Sequence, residues 1–88
     1  MKSKTFAELE ASPTVTIGEF KEALASYAGE GAAICAPVVI GLINRINPGE
    51  DDKAALLESA KKGFDNQNKR FEDKAAAEYQ RVINHLSR

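Results

Sequence analysis

Three features of this chain predict an all-α fold, a small bundle of four to five helices with a long or broken C-terminal helical arm. Apolar residues recur at spacings of three and four over most of the length, the period of one face of a helix. Helix-boundary chemistry is strong, with a capping pattern at Thr16 and Glu19 and a stop at Asn47, Pro48 and Gly49. The run from Gly31 to Ile43 is uncharged and apolar on every face, so it is expected to be buried all round, as a central helix or at a subunit interface. With 88 residues the chain is a single helical domain, residues 1–88, burying about 60 to 65% of the surface its unfolded form exposes.

The first element is a short helix from Thr5 to Ser12, with Phe6 and Leu9 as its apolar face. It ends at Ser12 because Pro13 pushes the residue before it out of the α region. The second opens on Thr16, whose hydroxyl accepts from the Glu19 backbone N–H while the Glu19 carboxylate returns to that of Thr16. It runs from Ile17 to about Ala28, with Ile17, Phe20, Leu24 and Tyr27 on one side, and closes at Gly29 and Gly31.

The third element is a helix from about Pro37 to Ile46, since proline is tolerated in a first turn where its missing N–H is not needed. The β-branched Val38-Val39-Ile40 stretch leaves a strand as the alternative. From Asp51 the pattern is helical nearly to the end, with Asp51 or Asp52 as cap. Leu56, Leu57, Ala60 and Phe64 form one stripe; Phe71, Ala75, Tyr79, Val82, Ile83 and Leu86 form another. They join only through Gln67 and Asn68, and Gly63, Asp65 and Asn66 mark residues 63–66 as the expected break, with a single bent helix as the alternative.

Composition excludes more functions than it names. Hydrophobic residues make up 43% and charged residues 28%, as in an ordinary globular protein. Twelve Lys and Arg against thirteen Asp and Glu give a net charge of −1, neither a basic footprint for phosphates nor a dense acidic surface. One cysteine and one histidine are too few soft ligands for a structural metal, and no cofactor motif is present. Gly29 and Gly31 lack the strand before them and the third glycine of a dinucleotide fingerprint. No apolar leader stands at the amino terminus, and the Gly31 to Ile43 run falls short of the ~20 residues that span a bilayer, so a cytoplasmic protein is expected.

Cys35 and His85 are the sole nucleophile and base candidates. Among Ala and Ile, Cys35 is expected to be a buried, inert packing residue. His85 is expected at the surface in the last turn of the final helix, where a cation suits the helix carboxyl end. Residues Thr16 to Ile46 have the outline of a helix-turn-helix, but the second helix offers no base-reading side chain before Asn44 and Arg45.

From Lys53 to Arg88 there are eight Lys or Arg against five Asp or Glu. The exposed candidates for partner or nucleic-acid contact are Lys61, Lys62, Gln67, Lys69 and Arg70. Helical neighbours four apart, Glu58 with Lys62, Asp65 with Lys69 and Lys69 with Asp73, are expected to neutralise part of this charge. Gln67 and Asn68 have two readings: polar residues setting register in a helix pair, or residues facing water at a junction. The second stripe exceeds what a short opening helix can cover, which predicts a homodimer through Phe71, Tyr79, Val82 and Leu86 or through the central run.

The function expected is a non-catalytic protein-binding module acting through helix contacts. It would be a small adaptor, inhibitor, antitoxin-like or immunity-like protein of the sort phages and mobile elements encode. The alternative is a dimeric nucleic-acid-binding regulator using the basic C-terminal helix face.

Overall fold

A computed structural model describes residues 4–88 and contains five helices: α1 (Phe6–Ala11), α2 (Ile17–Glu30), α3 (Ala36–Ile46), α4 (Glu50–Lys69) and α5 (Asp73–Leu86). Residues 1–3, part of the amino-terminal stretch read above as lacking a leader, lie outside the described residues. No described helix is long and apolar enough to cross a membrane. The strand alternative at Val38 to Ile40 is removed, because all three lie inside α3 with Pro37 in its first turn.

Two capping boxes set the amino-terminal half. Thr16 Oγ1 accepts from the Glu19 N–H at 3.1 Å and Glu19 Oε1 accepts from the Thr16 N–H at 3.1 Å. Thr5 and Glu8 make the same exchange at 3.1 and 3.0 Å. These bonds hold the Glu8 and Glu19 carboxyls below the usual carboxylate range; for Glu19 the Lys4 ammonium is the larger cause. Phe6 of α1 inserts beside Tyr27 and Phe20 of α2, with ring centroids 4.4 and 5.9 Å away, and its N–H donates to the Tyr27 hydroxyl.

α4 and α5 fold back on each other, and α2 packs along α4 while α3 packs on α5 and α1. Phe20, Leu24, Val39, Leu56, Tyr79 and Val82 make the centre of the core. Lys21 of α2 reaches Asp52 at the start of α4, Nζ to Oδ1 3.1 Å.

Four expectations are corrected. The central run is not buried all round: Cys35, Pro37 and Gly41 are exposed, because α3 buries Ala36, Val39, Leu42 and Ile43, half-buries Val38 and Ile40 against the core, and leaves its remaining face in solvent. Asp51 and Asp52 do not cap α4, which starts on Gly49; they stand in its first turn, where carboxylates complement the helix dipole. The arm breaks at residues 70–72 instead of 63–66. Tyr79, Val82 and Leu86 are buried within their own chain, so the uncovered stripe that argued for an interface is absent at these residues. α5 turns back onto α4 and finds its cover there and on α3.

Gly63 explains that return. A Cβ built on it would lie 2.2 Å from Tyr79 Cε1, so only glycine lets the Tyr79 ring lie against the α4 backbone. Gly63 precedes Phe71 by eight residues and Tyr79 follows it by eight, which closes the helical hairpin evenly about the corner.

Candidate functional site

The corner between α4 and α5 is the most unusual part of the surface. α4 ends with the Phe71 N–H donating to Asn68 O at 3.1 Å and the Glu72 N–H to Gln67 O at 3.0 Å. This double closure needs a left-handed residue between, and Phe71 has φ 59°. α2 ends the same way, with Gly31 N–H to Ala28 O at 3.2 Å and Ala32 N–H to Tyr27 O at 2.9 Å, around Gly31 at φ 68°. α3 ends on left-handed Asn47, φ 53°. Glycine and asparagine suit that conformation; a phenylalanine there costs about 1 to 2 kcal/mol. The residue is 89% exposed, the one large apolar residue left in solvent among the described residues.

Four side chains lock the corner to the end of α2. Asn66 Nδ2 donates to Ala28 O at 2.7 Å, Gln67 Nε2 to Gly31 O at 2.6 Å, Arg70 Nη1 to Gly31 O at 3.3 Å and Tyr79 Oη to Ala32 O at 2.7 Å. α4 and α5 thereby supply donors to Ala28 in the last turn of α2 and to Gly31 and Ala32 just beyond it. The Arg70 guanidinium lies on Gly31, where a Cβ would come within 2.6 Å of it. Burial pushes the Tyr79 phenol up to about 12.

Gln67 is therefore corrected as a partner contact: it is buried and engaged within the chain. The water-facing reading therefore does not hold for Gln67, while Asn68 is exposed. Lys61, Lys62, Lys69 and Arg70 are all exposed, and Lys62 and Lys69, seven apart, share one stripe of α4. The neutralising pairs expected with Glu58, Asp65 and Asp73 are not among the ion pairs of the described residues, which join Lys4 to Glu19, Lys21 to Asp52 and Arg81 to Glu78. Among the described residues these lysines therefore make no ion pair, and Lys69 stands two residues before the exposed Phe71.

Cys35 is exposed at the start of α3, a correction to the buried packing cysteine expected. It is the extended N-cap residue between buried Ile34 and Ala36. His85 is half-buried at the end of α5, with Nε2 2.9 Å from Asn44 Oδ1. Asn44 is in the last turns of α3 and Cys35 at its start, so the two are separated by about 13 Å of helix rise and cannot meet as nucleophile and base. A shallow cleft of about 120 Å³ beside His85 is lined by Asn44, Asn47, Lys53 and Leu86. Helices α3 and α5 both end there, so Lys53 and His85 stand against the partial negative charge of two helix carboxyl ends. Among the described residues, no three His, Cys, Asp or Glu side chains are grouped to hold a metal.

Comparison with protein-family models, with curated proteins and with solved structures finds no match to this chain.

Proposed function

We propose that this chain is a non-catalytic protein-binding module that offers Phe71, preceded by Lys69 and Arg70 and followed by Glu72 and Asp73, to a pocket on a partner protein. The observation carrying this reading is the combination at Phe71 of a left-handed backbone and 89% exposure of the residue. Both are unfavourable in the free domain, and neither contributes to its core. An aromatic anchor beside an arginine is the composition that dominates binding energy at protein interfaces. Burying the ring would contribute about 2 to 3 kcal/mol, more than the strain at the corner. Whether the module serves as adaptor, inhibitor, antitoxin-like or immunity-like protein is then decided by the partner.

The test is capture from lysate of the encoding organism on immobilised wild type and Phe71→Ala, each with and without nuclease. The reading expects one stoichiometric protein that survives nuclease and is lost with Phe71→Ala. Retention by the variant would refute it.

A second reading is supported by the unpaired Lys61, Lys62 and Lys69 on the helix that leads to Phe71. A cationic track beside an exposed ring suits a single nucleic-acid strand, with phosphates on the lysines and a base stacked on the phenyl face. That reading expects nuclease-sensitive capture, steep loss with salt, and loss on reversing Lys61, Lys62, Lys69 and Arg70.

A further inference from the structure

No glycine or proline follows Gly63, and residues 69–73, Lys-Arg-Phe-Glu-Asp, are all tolerated in a helix interior. The break between α4 and α5 is therefore imposed by the docking of α5, not by a helix breaker. Two local features oppose it. Phe71 is held left-handed, and among the described residues no side chain caps the start of α5, where Glu72 stands. Rotating Phe71 into the right-handed region, and bringing Glu72 from ψ 75° to a helical value, would replace the two closure bonds with ordinary helical ones. It would also give the N–H groups of Asp73 and Lys74 the carbonyls of Lys69 and Arg70 as partners. The product is one helix from Glu50 to Leu86, about 55 Å long.

Straightening lifts α5 off its own domain and uncovers Tyr79, Val82 and Leu86 together with the groove at Gly63 that received them. The complement to that groove is by construction the α5 of a second copy. It brings the same Tyr79 ring to Gly63, the same hydroxyl to Ala32 O, and the same Glu78 Oε1, which accepts from the Ala36 N–H at 3.3 Å.

We propose that two copies of this chain exchange α5 across a straightened Phe71 corner to form a domain-swapped dimer. Short strained hinges favour such exchange, because opening releases strain while every other contact is rebuilt between subunits. The dimer uses residues expected from the sequence to self-associate, by swapping them instead of pairing uncovered stripes. It needs no partner protein and does not rest on the docking reading.

The test is refolding of the purified full chain from urea over a range of concentrations, followed by size-exclusion chromatography with light scattering. The wild type is expected to yield a dimer whose fraction rises with refolding concentration and which returns to monomer slowly on dilution. Phe71→Gly relieves the closed corner and weakens the straight helix, so it should lower the dimer constant on the order of tenfold or more, two hinges being opened per dimer. Phe71→Ala keeps the left-handed cost and raises helix propensity, so its dimer should persist or increase. Both variants lose the ring, so loss of partner capture in both separates the docking reading from this one.

In a Cys35→Ser background, spin labels at positions 61 and 81, diluted into unlabelled chain, should lie about 30 Å apart in the dimer and closer in the monomer. Absence of a dimer in both wild type and Phe71→Ala would overturn the proposal. So would a Phe71→Gly dimer as populated as the wild type's, or a dimer with the monomer's spin separation.

Discussion

Placing a methyl group on Gly63 tests the packing that turns the C-terminal arm back on itself. In an ordinary helix interior, glycine to alanine stabilises by about 1 kcal/mol. At Gly63 the new Cβ would meet Tyr79 at 2.2 Å from Cε1, 2.5 Å from Cζ and 2.6 Å from Cδ1. Favourable carbon contacts lie near ~3.5 to 4.0 Å, so the ring must move by more than about 1 Å. That shift draws the hydroxyl away from Ala32 O, a net loss of about 1 kcal/mol, and repacking the ring costs a further ~1 to 3 kcal/mol. Set against the propensity gain, Gly63→Ala should destabilise the domain by about 2 kcal/mol, lowering Tm by roughly 8 to 16 °C. Gly41→Ala is the control, because a Cβ there meets nothing within 4 Å and α3 should gain the propensity term in full. Urea and thermal unfolding followed by circular dichroism measure both. A Gly63→Ala protein as stable as the wild type, or more so, would refute the argument.

Four further outcomes are expected. Phe71→Gly should raise monomer stability in urea by about 1 kcal/mol, the left-handed strain released less the extra freedom glycine gives the unfolded chain; a loss would show that Phe71 is not strained. Thr16→Ala should cost about 1 kcal/mol in the same assay. Its partner Glu19 has a folded pKa below 4.5, so its contribution is fully present above that value and is lost as pH falls through the lowered folded value. Glu19→Gln should accordingly flatten the acid limb of Tm against pH, and an unchanged limb would count against the joint hold of Lys4 and the box on this carboxylate. For Tyr79 the sign is reversed: its phenol is raised from 10.0 to about 12, so stability is full below pH 10 and declines as pH rises between these values. Phenolate absorbance should show one tyrosine titrating late; two tyrosines titrating near 10 would contradict its burial.

The boundaries of α1, α2 and α3 were legible because their determinants are local. Thr16 with Glu19, Ser12 before Pro13, and Asn47 before Pro48 each act within a few residues of the end they set. The arm was not legible in the same way. Gly63 reads as a weak point in a helix, whereas its lack of a side chain is what admits Tyr79 from sixteen residues downstream. The corner at 70–72 carries no turn residue at all, since a long-range contact forces Phe71 into a conformation its own chemistry disfavours.

The candidate site was partly legible. Lys61, Lys62, Lys69 and Arg70 stand out by charge in the sequence and all four are exposed, whereas Phe71, which its spacing puts in the second apolar stripe, lies outside α5 and away from the buried members of that stripe. Gln67 was misassigned because a polar residue in an apolar seam looks solvent-facing until its acceptor, Gly31 O, is brought to it by α2. The apolar neighbours of Cys35 do not place it: Ile34 and Ala36 on either side are buried, while Cys35 between them, at the extended N-cap of α3, is exposed.

Photo-crosslinking from position 71 tests the docking role most directly. Benzoylphenylalanine in place of Phe71, expressed in the encoding organism, should crosslink to one protein other than this chain, insensitive to nuclease. The same residue at exposed Ala54 should give no such product. A crosslink confined to nucleic acid or to a second copy of the chain, or none above the Ala54 control, would contradict the account.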